Sequence, residues 1–289
     1  MRLFLLTTFC LTLFALNSIL CRGAIMTWGM EPLQYTAIRS LSAAVMLAFL
    51  CTSRVIKPVE GAGSVWKQVW AQSSWAGGFF LFMYMLAFSL AYVSIPSAAG
   101  TLILKISVQF GMVGWGIWQG LRPGRRQVAG LAIAFAGLAA LMSPGLTAPP
   151  LISSLLMVVA GLAWAGYTLC GRAATSAPLA TAGNFFRCAV AGAITACLAI
   201  CLEGTAHPMA YLCALGAGAL ASALGYTLWY AVVPRYSLVG SSIIQLSVPL
   251  ITAVLAVILL AEPITLRLVL CAIPILGGIC IALLARKNS

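Results

Sequence analysis

An all-α integral membrane protein, with ten transmembrane helices arranged as two inverted five-helix repeats, is the fold class that this 289-residue sequence predicts. Three observations carry that expectation. Charged residues make up 7% of the chain and hydrophobic residues 63%, whereas a soluble domain carries about a quarter charged residues. Apolar stretches recur at lengths of roughly 17–23 residues, each enough for ~30 Å of hydrocarbon. Segments of the first half also return in the second at a fixed spacing.

The chain opens on MRLFLLTTFCLTLFALNSILC, which has the form of a signal peptide, with Arg2 ahead of an apolar run. Ser18-Ile19-Leu20 before Cys21 fits poorly with lipoprotein-type cleavage, which wants small residues there, and residues 3–21 have a partner span in the second half. They are therefore expected to remain as the first helix. Further spans follow at 33–52, 71–92, 97–119 and 127–143. The turn-like SPGLTAPP at 143–150 is the one interruption between Arg126 and Arg172, a stretch without a charged residue. Beyond it lie spans at 151–171, 180–201, 209–231, 238–260 and 265–285.

The loops orient these spans. Arg2, then Arg54, Lys57 and Lys67, then Arg122, Arg125 and Arg126, then Arg172, Arg235, Arg286 and Lys287 all fall on one side. The other side holds Glu31, Glu203, His207 and Glu262, with Arg22 and Arg267 as its only cations. The positive-inside rule then predicts a multi-pass protein of the cell inner or plasma membrane with both termini cytoplasmic. The net charge of +12 is read as topology, because nucleic-acid binding needs a basic face on a water-exposed domain. The ten cysteines sit inside apolar runs without metal-ligand spacing and behave as small apolar residues.

Aligning ILKISVQF (103–110) with IIQLSVPL (243–250) pairs Lys105 with Gln245, Gly100 with Gly240, Ser107 with Ser247, Pro123 with Pro263 and Gly137 with Gly277. NSILCRGA (17–24) aligns with YTLCGRAA (167–174) through Arg22 and Arg172, and Arg39 aligns with Arg187. Residues 1–145 and 146–289 are thus two copies of a five-helix unit. An odd number of spans per copy inserts the second upside down, the plan of secondary transporters.

These residues resemble ten-helix EamA-type members of the drug/metabolite transporter superfamily. The resemblance rests on Arg39 and Arg187 in the second helix of each half, on RPGRRQVAGLAIAFAGLAAL at 122–141, and on SVPLITAVLAVILLAEPITLRLVLCAIPILGGICIAL at 247–283. The first half departs from the pattern: Arg122 precedes Pro123 in place of an acidic residue, and Gln109 stands where the second half has Pro249. The resemblance implies that four helices of each half surround a central cavity while the fifth and tenth lie at the periphery. It also implies a metabolite cargo, among amino acids, nucleotide-related compounds, sugars and sugar phosphates, without choosing one.

Lys105 lies eight residues into its span, ~12 Å from the outer end and near the midplane. A cation there costs about 2.5–3.5 kcal/mol on insertion scales unless water or a partner attends it. The chain has no Asp, and its four Glu lie near helix ends or in loops. The partner is then a substrate, unless neighbouring backbone carbonyls satisfy the lysine or burial deprotonates it. Gln109, four residues on, shares its helix face. Asn17, Trp164 and Tyr167 on the first helix of each half, Tyr84, Tyr226 and Trp229 on the third, and Ser107, Gln245 and Ser247 on the fourth complete the candidate substrate-binding pocket. Each alone is as readily a packing or interface residue. Arg39 and Arg187 are assigned structural or gating work, Arg22 and Arg172 are read as interface anchors, and His207 as solvated.

The leading expectation is a secondary transporter that moves an anionic or zwitterionic metabolite, amino-acid-like or nucleotide-like, by alternating access. No nucleotide-binding GxxxxGK[ST] loop is present, and no cofactor or metal is expected. The expected partners are a small-molecule substrate and the lipid bilayer, with a homodimer left open and no nucleic acid. The alternative, a membrane-embedded enzyme acting on a lipid or isoprenoid, lacks Asp, has a single His and contains no HExxH.

Overall fold

The protein is described from a computed structural model that covers residues 2–285 except 62, 121, 144, 146–147, 201–205 and 237–243. All regular structure among the described residues is helical. Helix α1 spans Arg2–Arg22 and runs on through a wider π turn, Gly23–Thr27. It is followed by α2 (Pro32–Thr52), α3 (Val65–Gln72), α4 (Trp75–Ala91), α5 (Ser97–Trp118) and α6 (Arg125–Met142). The later helices are α7 (Leu151–Cys170), α8 (Ala177–Ile200), α9 (Pro208–Val232, with a π stretch at Ala217–Leu224), α10 (Gln245–Leu260) and α11 (Leu266–Ala285).

The starts of these helices follow local chemistry. Pro32 and Pro208 occupy first-turn positions, where a missing N–H is harmless. Ser64 and Ser74 accept bonds from the N–H of Lys67 and Gly77 at 3.3 and 2.9 Å, capping α3 and α4. His207, exposed as expected, is more than solvated, since its Nδ1 accepts from Met209 N at 3.2 Å and so caps α9.

Among the described residues, eight helices are long and apolar enough to cross a membrane, or nine when α3 and α4 count as one bent span; α10 is a shorter apolar helix. The expected span at 71–92 is therefore corrected. Ser73 and Ser74 break it, α3 lies at 76° to α4, and α4 starts at Trp75. Of the expected span 238–260, residues 245–260 are helical; the start of that span, Gly240, Glu203, Arg286 and Lys287 lie outside the described residues.

Helix α1 packs on α9 and α10, and α7 packs on α4 and α5; α2 packs on α8 and α6 on α11. Backbones approach closely where glycine leaves room. A Cβ on Gly278 would sit 2.4 Å from Gly130 O, and one on Gly161 would sit 2.5 Å from Ser107 Cβ. Gly111 and Gly218 also admit close contact, Gly114 faces open space, and Gly120 turns the chain at φ +83°.

The crossing of α6 and α11 gives a paired test. Gly278→Ala should destabilise the protein in detergent by ~1–3 kcal/mol, an overpacking penalty. Gly277→Ala, which meets nothing within 4 Å, should stay within ~0.5 kcal/mol of the parent. Equal melting temperatures for the two variants would rule out the contact.

Candidate functional site

A cavity of about 490 Å³ lies between the halves. Lys105 is half-buried on its wall, and its Nζ donates to Gln245 Oε1 at 3.2 Å, from α5 to the first turn of α10. A neutral amide can offer one oxygen to an ammonium that has three donors, so Lys105 keeps capacity for a further acceptor. Among the described lining residues there is no Asp or Glu. Thr101, Lys105, Gln109 and Met112 all line the cavity from one face of α5, because positions three and four apart are stacked on a helix.

The opposite wall is aromatic. Trp164 is its hub, with ring centroids 4.8 Å from Tyr84, 5.2 Å from Tyr167 and 5.3 Å from Tyr226, all tilted or edge-on. Phe14 lies 5.7 Å from both Tyr226 and Trp229. The polar tips are held: Tyr167 OH and Thr181 Oγ1 share a bond at 3.0 Å, and Thr181 Oγ1 donates to Tyr230 OH at 3.3 Å. Such a wall offers flat apolar faces and fixed hydroxyls, and it suits a planar or apolar body attached to an acidic group.

Each sequence-derived candidate can now be placed. Asn17, Tyr84, Lys105, Gln109, Trp164, Tyr167, Tyr226, Trp229 and Gln245 all line this one cavity. Ser107 and Ser247 do not; their hydroxyls bond back to Ile103 O and Ile244 O, each at 2.7 Å, as serines inside helices do.

Arg39 and Arg187 stand outside the cavity and differ from each other. Arg39 is 0% exposed. Its Nη2 donates to Tyr84 OH and its Nε to Ser222 Oγ, both at 3.4 Å, and its guanidinium lies 5.4 and 5.3 Å from the ring centres of Tyr84 and Phe88. It therefore backs the aromatic wall. Arg187 pins the α3–α4 elbow, donating to Ser73 Oγ and to Trp70 O while lying 4.8 Å from the Trp70 ring centre.

The reading of Arg22 as an interface anchor is corrected. Arg22 is held inside the fold by Glu262, at 3.1 Å, and by Tyr92 O, at 2.8 Å. Arg172 is exposed and lines the mouth of the cavity together with Gly171 and Ala177. At the other end Ser18 Oγ and Thr101 Oγ1 meet at 3.2 Å, and Tyr92, fully buried, closes the space beyond them.

The sequence reading missed Asn184, Thr101, Ser18 and Tyr230 on the wall. Helical spacing held the signal for two of them: Thr101 precedes Lys105 by four residues and Tyr230 follows Tyr226 by four. The fifth helix of the second half is also less peripheral than expected, because Ile279 and Leu283 of α11 reach the cavity.

Three comparisons bear on this arrangement. A sequence model described as the EamA-like transporter family matches residues 151–284. An uncharacterized protein of Pseudomonas aeruginosa is 39% identical over 289 residues, covering 99% of this chain and 96% of the relative. A protein of known crystal structure superposes with a TM-score of 0.63 at 19% identity, covering 97% of this chain and 98% of the other, which is a likeness of fold.

Tyr84 accepts from both Arg39 Nη2 and Asn17 Nδ2 at 3.4 Å. Tyr84→Phe should therefore lower stability by ~1–3 kcal/mol, the cost of leaving buried donors without their acceptor. Thermal unfolding in detergent measures it, and an unchanged midpoint would mean that the hydroxyl is not engaged.

Proposed function

Because the chain belongs to the EamA-like transporter family, we propose that this multi-pass membrane protein is a secondary carrier that moves a small anionic or zwitterionic metabolite by alternating access. The observation that carries the substrate charge is Lys105 on the cavity wall, with a neutral amide as its partner and no carboxylate among the described lining residues. A cation at mid-bilayer depth is costly unless water or a ligand attends it. An acidic group of the cargo supplies the acceptor that Gln245 leaves unfilled, while its body rests on the aromatic wall.

The proposal includes ten membrane crossings. The bent α3–α4 pair supplies one, and the shorter apolar helix α10 supplies another. It also includes the two-repeat organisation, residues 1–145 and 146–289, related by rotation about an axis in the membrane plane. The reciprocal packing of the halves supports that relation. So does the direct bond between Lys105 and Gln245, repeat-equivalent residues 140 positions apart that meet where such an axis would pass. In this reading α1, α4, α5 and α7–α11 line the site, both termini and the Arg122–Arg126 loop are cytoplasmic in the cell inner membrane, and the cavity mouth at Arg172 opens to that side. A homodimer is compatible with the peripheral α6–α11 pair and is not required for transport.

Topology is tested by a single cysteine at residue 124 in a cysteine-depleted variant. It should react with an impermeant maleimide only from the cytoplasmic face, and reaction from the opposite face alone would reverse the orientation.

Cargo is sought by thermal shift of the purified protein against amino acids, nucleotides, sugar phosphates and quaternary amines, since a ligand of the native state stabilises it. Stabilising compounds are then taken to counterflow in proteoliposomes. Lys105→Gln and Lys105→Ala should weaken apparent affinity about tenfold to hundredfold, the worth of a charge-assisted bond, while Lys105→Arg should keep part of it because the charge remains in a different geometry. Transport by Lys105→Gln near the parent rate at matched insertion would remove Lys105 from the site, and stabilisation confined to quaternary amines would overturn the charge assignment.

A further inference from the structure

Among the described residues, the closed end of the cavity is tied by an ion pair and the open end is not. Arg22, at the end of α1, donates from Nε to Glu262 Oε1 at 3.1 Å, and both side chains are 15% exposed. Glu262 follows α10 in the second half. Its Oε2 accepts from Ser97 N at 2.8 Å and its Oε1 from Ser97 Oγ at 3.2 Å, so the same carboxylate caps α5. Arg22 Nη1 donates to Tyr92 O at 2.8 Å. One ion pair thus joins the ends of α1 and α10, the start of α5 and the α4–α5 link, directly over the Ser18–Thr101 contact that ends the cavity. The local backbone is built for it: Ala261 takes a left-handed conformation, φ 53°, at a cost of about 1–2 kcal/mol for a residue with a Cβ. That turn also lets Glu262 N donate to Ala256 O at 3.1 Å.

The repeat assigns the matching positions at the other mouth. Arg22 aligns with Arg172, and Pro263 with Pro123, so Arg122 takes the place of Glu262. Arg172 is exposed at the open mouth, and Arg122 follows the end of α5, the helix whose Met112 and Val113 line that mouth. Closing this end would bring two arginines toward each other where the far end has an arginine and a glutamate.

We propose that Arg22 and Glu262 form a latch that shuts one mouth of the carrier, and that the Arg122–Arg172 pair denies the other mouth an equivalent latch, so that the ligand-free protein rests open on the Arg172 side. The proposal rests on the carrier reading above. It assigns the direction of the resting state to two residues, Glu262 and Arg122, that occupy one repeat position with opposite charge.

The test uses the full chain, depleted of native cysteines and carrying Leu104→Cys as a reporter on the cavity wall. An impermeant maleimide is applied from either side, in right-side-out and inverted vesicles. The parent should label from the Arg172 side alone. Arg22→Ala and Glu262→Gln should raise labelling from the Arg22 side about tenfold, the population shift that loss of a charge-assisted pair gives, and the double exchange R22E/E262R should restore the parent pattern. Arg122→Glu, which installs the absent carboxylate, should lower labelling from the Arg172 side by a similar factor. If Arg22→Ala fails to insert, the double exchange and Arg122→Glu decide the matter. Labelling from one side only, unmoved by every substitution, would overturn the latch and leave the carrier reading standing. Labelling of single parent molecules from both sides at once would mark an open pore and overturn both.

Discussion

In hydrocarbon a charge has to be answered by something, since water is absent and each unmet polar group costs several kcal/mol. Lys105 answers it with a hydrogen bond to Gln245, a neutral amide, at the wall of the cavity between α5 and α10. Arg39 has a hydroxyl on either side and two aromatic rings beside it; Arg187 has a serine, carbonyls and two tryptophans; Arg22 has a carboxylate and a carbonyl. Lys105 has one amide oxygen and a cavity. Arg39 and Arg187 are thereby bound up within the fold, whereas Lys105 keeps donors to spare.

The aromatic wall follows from the same economy of charge. Tyr84, Tyr167 and Tyr226 can line a cavity in an apolar medium because each presents a ring face inward and can carry its hydroxyl to a partner in the protein. Tyr84 OH accepts from Asn17 and Arg39, and Tyr167 OH meets Thr181. Arg39 thus sets the hydroxyl of a wall residue without touching the cavity. Removing one member of that chain would disturb a residue that is itself in reach of a ligand, which is why the buried cation is better placed than an apolar replacement would be.

Much of this was legible in the sequence, and the failures have physical causes. Hydropathy located the spans because the bilayer imposes both length and composition. It could not find the elbow between α3 and α4, because VWKQVWAQ, with Lys67, Gln68 and Gln72, is too polar to read as part of a span and most of it reads as the loop before one. Repeat alignment paired Lys105 with Gln245 and Asn17 with Tyr167, and all four line the one cavity. It misled where equivalence of position was read as equivalence of role. Arg39 and Arg187 align but serve different elements. Arg22 looked like an interface anchor because its partner, Glu262, lies 240 residues away and no local pattern announces it.

On the two-repeat reading, function resides in the departures from symmetry. Where the halves agree they build the scaffold, as the equivalent helices α6 and α11 do by packing on each other. Where they differ they act. Lys105 facing Gln245 puts a single cation at the centre instead of two that would repel or two amides that would ignore charge. Glu262 against Arg122 ties one mouth and leaves the other untied. Gln109 against Pro249 gives α5 a polar group on the cavity, where Pro249 sits in the first turn of α10 and is buried there. An exactly duplicated chain would bind and close alike from both sides, with nothing to favour one direction. Three substitutions on a symmetric frame suffice to give the site a charge, the gate a side and the wall a polarity.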